Sequence, residues 1–116
     1  MASPHDALLT EVRGIPGVHD PAVVSRTGNL MAGSFGGNQH GDTVAAMAAI
    51  IHASGESLGQ EFRRPFVHVV VNFEKGALVV IPAGNDALLV TTVDSGTTLA
   101  EALPALHRAS ARSDHG

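Results

Sequence analysis

The sequence predicts an α+β domain: a helix, two strands, a long helix, three strands and a closing helix. Three observations carry that reading. Apolar residues between Val44 and Phe62 recur at helical spacing, residues 66–73 alternate with a period of two, and Gly, Asn and Pro punctuation cuts the remainder into short strands. At 116 residues the chain is sized for a single hydrophobic core.

The first helix opens at Ser3-Pro4-His5-Asp6, which offers an N-cap hydroxyl, a proline at the first helical position and an acid one turn in. Leu8, Leu9 and Val12 form its apolar stripe, and Gly14 ends it. Ile15-Pro16-Gly17-Val18 reads as a turn into a first strand over 22–25. Thr27-Gly28-Asn29 is hairpin punctuation, so a second strand over 30–34 returns antiparallel to the first.

A glycine-rich polar loop follows from Phe35 to Gly41, with Asp42 or Thr43 placed to cap a helix over 44–61. One stripe of that helix, Val44, Met47, Ala48, Ile51, Gly55, Leu58 and Phe62, is expected to face the core. A second stripe, Ala46, Ala49, Ile50, Ala53 and Ser57, is small or apolar and lies on another side. It is either a second packed face or the mark of alanine as a good helix former. Thr43, His52, Glu56 and Gln60 remain as the main polar surface.

After Pro65, Val67, Val69, Val71 and Phe73 alternate with Phe66, His68, Val70 and Asn72, as a strand requires. Lys75-Gly76 makes the next turn. Nearly continuous apolar strands over 77–81 and 87–93, joined through Pro82-Ala83-Gly84-Asn85-Asp86, suit the centre of a buried sheet. Thr98 and Glu101 form a capping box for a last helix carrying Leu99, Ala102, Leu103 and Leu106. Pro104 is expected to kink or shorten it. The domain is placed at 1–108, and the polar residues 109–116 are expected to form a disordered tail.

Composition narrows the function. A formal net charge of -4, with only 7 Lys and Arg, supplies no field for a phosphate backbone or an anionic membrane, so no nucleic-acid partner is expected. Zero cysteines exclude thiolate metal ligation and fit a reducing cytosol. No leader or membrane-length apolar run is read from the sequence, and the expected location is cytoplasmic with no membrane insertion.

Several segments imitate chemistry. The run from Gly36 to Thr43 has the spacing of a P-loop, but Asp42 stands where a lysine must meet the phosphates, so a loop and helix cap is the better account. Gly55-Glu56-Ser57-Leu58-Gly59 matches the nucleophile-elbow pattern but falls within a helix, away from any sharp strand-to-helix turn. Val93-Asp94-Ser95-Gly96-Thr97-Thr98 resembles the active-site segment of aspartic proteases, and a dimer of such chains would bring two carboxylates together to activate water. Too little sequence follows it for that fold, and a turn with an N-cap explains the same residues. The histidines His5, His19, His40, His52, His68, His107 and His115 show no paired-ligand spacing, so no metal is expected and most are read as surface residues. His68 is expected to be a hydrogen-bonded structural residue.

Arg13-Gly14-Ile15-Pro16-Gly17-Val18, Val23-Val24-Ser25-Arg26-Thr27-Gly28, the alanine-rich helix Val44-Ala45-Ala46-Met47-Ala48-Ala49-Ile50, and Glu74-Lys75-Gly76 with Leu78-Val79-Val80 and Asp86-Ala87-Leu88-Leu89 occur in an order and spacing that resemble the Roadblock family, the group related to dynein light chains and to bacterial regulators of Ras-like GTPases. The resemblance covers about positions 6–103. It implies a five-stranded antiparallel sheet with the long helix on one face and flanking helices on the other. It further implies a homodimer joined edge to edge, with Ala46, Ala49, Ile50, Ala53 and Ser57 at a helix seam and Phe66, His68, Val70 and Asn72 on a paired strand. The implied role is a non-catalytic regulator or scaffold for a small Ras-like GTPase, without cofactor, with Thr43, His52, Glu56 and Gln60 facing that partner. No arginine finger can be singled out among Arg13, Arg26, Arg63 and Arg64. A different class of function, a profilin-like or PAS-like sensor with a small ligand between helix and sheet, is the alternative; four Phe and no Trp or Tyr speak against an aromatic-lined pocket.

Overall fold

The computed structural model describes residues 4–35, 40–94 and 99–112. The elements run α1 (Pro4–Arg13), β1 (Val18–Ser25), β2 (Leu30–Gly33), α2 (Gly41–Phe62), β3 (Val69–Asn72), β4 (Ala77–Ala83), β5 (Ala87–Val93) and α3 (Leu99–Arg112). All five strands join one antiparallel sheet in the order β2-β1-β5-β4-β3. This is the α+β arrangement expected from the sequence.

Alternation along the central strands divides the core in two. On β5, Ala87, Leu89 and Val93 turn toward one face and Leu88 and Val90 toward the other. The first face packs against Leu8, Leu9 and Val12 of α1 and Ala102, Leu106 and Ala109 of α3. The second packs against Ala45, Ala48 and Ala49 of α2. Because β5 lies between β1 and β4 with helices over both faces, every position from Ala87 to Thr91 is buried, which is why its sequence shows no polar alternation.

β1 starts four residues earlier than its apolar run indicated. Its register against β5 slips between His19 and Ala22, and Asp20 there adopts a left-handed φ of 52°. Such a bulge needs no ladder hydrogen bond from Pro21, so the proline sits inside the strand. Thr91 Oγ1 donates to the His19 carbonyl at 2.7 Å within the same irregular stretch. Gly33 closes β2 beside it; a Cβ there would lie 2.3 Å from the Pro21 carbonyl oxygen.

α2 begins at Gly41, before the expected caps. His40 is its N-cap without a side-chain cap bond, and Asp42 lies in the first turn. At its other end Arg63 takes a left-handed φ of 55°, its N–H reaching the Gln60 carbonyl while that of Arg64 reaches the Gly59 carbonyl, the Schellman pattern. β3 is shorter than the predicted strand, since residues 64–68 make no ladder pairing.

α3 corrects two expectations. It runs through Pro104 to Arg112, so residues 109–112 are helical, with Ala109 and Ser110 buried against the core. An ion pair between Arg112 and Glu11 ties its last turn to α1. Residues 113–116 and the capping Thr98 lie outside the described residues.

Candidate protein-docking surface

α2 is turned about its axis relative to the expected stripes. The side against the sheet is Ala45, Ala48, Ala49 and His52, small enough to let the helix approach the strands closely. Ala48 is buried as expected, and Val44, Ile51 and Gly55 are half-buried. Met47, Leu58 and Phe62, expected in the core, are instead 60%, 57% and 71% exposed. Ala49, expected at a seam between subunits, faces the sheet within its own chain.

Two apolar flanks remain. Leu58 and Phe62 line an open cleft of about 450 Å³ with Gly55, Gly59, Arg64, Pro65, Phe66 and Val67, which places that flank on the β3 side; helical repetition adds Met47 to it. Ala46 lies on the other side, its Cα 3.2 Å from where a Cβ on Gly28 of the β1–β2 turn would stand. Ile50, Ala53 and Ser57 follow Ala46 at helical spacing and are exposed, Ile50 by 64%. Ile50 stands three residues from Met47 and four from Ala46, so it lies on the outward crest between the two flanks.

Among the described residues β3 forms one border of the sheet, with β4 as its neighbour. Its three valines are half-buried and its outer backbone groups face away from the sheet. Val70 packs toward the α1/α3 core, and Asn72 is exposed. His68, just ahead of β3, makes a 3.0 Å hydrogen bond through Nδ1 to Nε2 of His107 on α3. Burial, and then the neighbouring His107, lower its pKa from the ordinary value. The fold thus holds His68 in a hydrogen bond, as its sequence reading anticipated.

Of the four residues assigned to a partner-facing polar surface, Thr43 and Gln60 are exposed. His52 is 2% exposed and belongs to the interior, a correction to its reading as a surface residue. It packs edge to face on Phe66 at 5.0 Å between ring centres, with Nδ1 3.5 Å from Glu56. Glu56 is half-buried and accepts hydrogen bonds from Arg26 Nη1 at 3.2 and 3.3 Å. Arg26 is thereby committed to linking the β1–β2 turn to α2.

Sequence reasoning missed the seat of Phe66. A Cβ on Gly55 would come within 2.3 Å of the Phe66 ring, and one on Gly59 within 2.7 Å of the Arg64 carbonyl oxygen. The glycines that imitated a nucleophile elbow make a slot for an aromatic ring instead. The available signal was two glycines four residues apart inside a helix, each costing about 1 kcal/mol relative to alanine and so calling for a packing reason.

Asp94, from the protease-like segment, is 56% exposed along its side chain and hydrogen-bonded at 2.8 Å to His19 Nε2. That is a solvent-exposed hydrogen bond rather than a shielded carboxylate couple. Residues 95–98, and residues 36–39 of the P-loop-like run, lie outside the described residues. Among the described residues no group of three or more His, Asp or Glu could hold a metal ion, and no helix is long and apolar enough to cross a membrane.

Residues 5–92 match the Roadblock/LC7 domain family. Among solved structures, the gliding protein MglB from Thermus thermophilus is 24% identical, with 99% of this chain and 91% of that chain covered at a TM-score of 0.84. A Roadblock/LC7 domain from Streptomyces avermitilis is 22% identical, with 92% of each chain covered and a TM-score of 0.78. Profilin from Schizosaccharomyces pombe shares the architecture at 18% identity, 95% coverage of each chain and a TM-score of 0.72. No curated protein sequence matches significantly.

Proposed function

Because this chain belongs to the Roadblock/LC7 domain family, we propose that it acts as a homodimeric, non-catalytic regulatory module that docks a small Ras-like GTPase. The observation that carries the reading is the exposed apolar flank of α2, Met47, Leu58 and Phe62, continued by Val67 next to the open border strand. Apolar surface of that size beside unpaired strand backbone calls for a cover. A second copy related by a two-fold axis supplies one: β3 pairs with its counterpart and the two α2 flanks meet above it. A joint of ordinary size buries about 800 Å² on each subunit.

In such a dimer Ala46, Ala53 and Gln60 lie on the side of α2 away from β3, with Ile50 and Ser57 on the outward crest beside them. They form the platform offered to the GTPase. The profilin-like sensor reading is less favoured, because the space between α2 and the sheet is filled by Ala45, Ala48, Ala49, Val80, Leu88 and Val90.

Sedimentation of the Leu58→Glu variant tests the joint. Wild type is expected to sediment as a dimer at micromolar concentration and the variant as a folded monomer, because a carboxylate buried in an apolar joint costs several kcal/mol. A variant that remains dimeric sinks the β3-side joint. Pull-down with GDP- and GTP-loaded Ras-like GTPases tests the partner, and Ala53→Glu, on the flank away from the joint, is expected to abolish capture while leaving the dimer intact.

A further inference from the structure

His68 and His107 are 39 positions apart, so no sequence spacing announces them, yet the fold sets two imidazole nitrogens 3.0 Å apart. One ring precedes the border strand β3 and the other belongs to α3, on the sheet face opposite α2. Both rings are half-buried, tilted 50° to each other, with centres 5.1 Å apart.

We infer that His68 and His107 form a two-histidine site for a divalent transition-metal ion of the zinc class, which clamps the start of β3 to α3. Two nitrogens on one tetrahedral ion, each bonded at about 2.0–2.1 Å, lie about 3.3 Å apart. The observed pair needs to open by only a few tenths of an ångström and to turn both lone pairs toward a common point. Imidazole is a ligand for zinc, copper and nickel, whereas magnesium and calcium take oxygen donors. Since no third His, Asp or Glu completes a cluster among the described residues, water fills the remaining coordination positions on the open side.

The proton balance is simple. Each neutral ring carries one N–H, and one of these now bridges the pair. On metal binding that proton moves to the outer nitrogen of its own ring, so both inner lone pairs are free and no proton is released. Burial favours the neutral, ligating form of His68, whose pKa lies below the ordinary value.

Calorimetric titration of the full chain with zinc chloride tests the site, with His68→Ala, His107→Ala and His19→Ala in parallel. His19 is included because its hydrogen-bonded contact with Asp94 is the rival two-ligand arrangement. Wild type is expected to bind one zinc per chain, with affinity lost by about tenfold or more in either of the first two variants and kept in the third. Zinc is expected to raise the melting temperature of wild type and to leave that of His107→Ala unchanged, while magnesium moves neither. If His68→Ala loses its helical circular dichroism, the His107→Ala result decides. No zinc binding by wild type, wild-type affinity in His107→Ala, or loss of binding in His19→Ala overturns the inference.

Discussion

Phe66 shows how a single side chain fixes the connection between the long helix and the border strand. Its ring occupies the slot left by Gly55 and packs in a T-shaped arrangement with His52, so the residues before β3 start from a defined place. Gly55→Ala improves helix propensity by about 1 kcal/mol but drives a methyl into the ring, and overpacking of that kind costs about 1–3 kcal/mol. We expect urea denaturation to show a net loss of about 1 kcal/mol together with greater exposure of Phe66. His52 beside it makes stability depend on pH. Burial lowers its pKa, with Arg26 acting in the same direction and Glu56 opposing both more weakly than burial. Protonation would also place an N–H on the buried Nε2, which has no acceptor among the described residues. An unfolded His52 takes up its proton near pH 6.5, before the folded one does. Its effect is therefore absent well above pH 6.5, and stability falls as the pH drops from there until the lowered native pKa is passed. His52→Gln is expected to flatten this slope in chemical denaturation measured between pH 7.5 and 5, and an unchanged slope would contradict the assignment.

The elements divide according to how their physics is written locally. The helical repeat of α1, the turn residues around Gly28 and Gly76, and the continuous apolar run of β5 specify themselves and fold where the sequence places them, while β4 continues through Pro82 and Ala83, which were expected in the turn. Pro104 misleads, because the proline rule treats the helix alone. Loss of one backbone bond and a ring clash cost about 3 kcal/mol, but burial of Leu106 returns about 1.5–3 kcal/mol and Ala102 and Ala109 add to it. Pro104 itself is exposed, so Pro104→Ala gives up no packing. It should stabilise the protein by about 1–3 kcal/mol, read as a higher urea midpoint at unchanged slope. On α2 the stripes were legible as stripes, but which one meets the sheet was not. Alanines and a histidine won the inner face because close approach of helix to sheet favours small side chains, and this preference depends on a neighbour that periodicity does not see. The Arg26–Glu56 link and the meeting of His68 with His107 are tertiary events, with no short-range trace in the chain.

At the level of the whole molecule, two layers of helix enclose one sheet, and most of the exposed large apolar side chains stand on α2 (Met47, Ile50, Leu58, Phe62) and beside β3 (Val67, Phe73), with Met31 on β2. If a second copy covers the flank of α2 beside β3, unfolding and dissociation are linked, and the melting temperature rises with protein concentration. Differential scanning calorimetry over a hundredfold concentration range is expected to show that rise for wild type and a flat response for Leu58→Glu. The sheet's other border behaves differently. β2 is four residues long, its pairing with β1 slips between Val23 and Val24, and it ends on a glycine pressed against the Pro21 bulge. A strand so short and uneven is a poor template for a further chain. If the β3 borders of two subunits join as proposed, only such blunt ends remain, so ribbon growth would have nowhere to continue and the assembly would close as a finite pair instead of running on into a fibre.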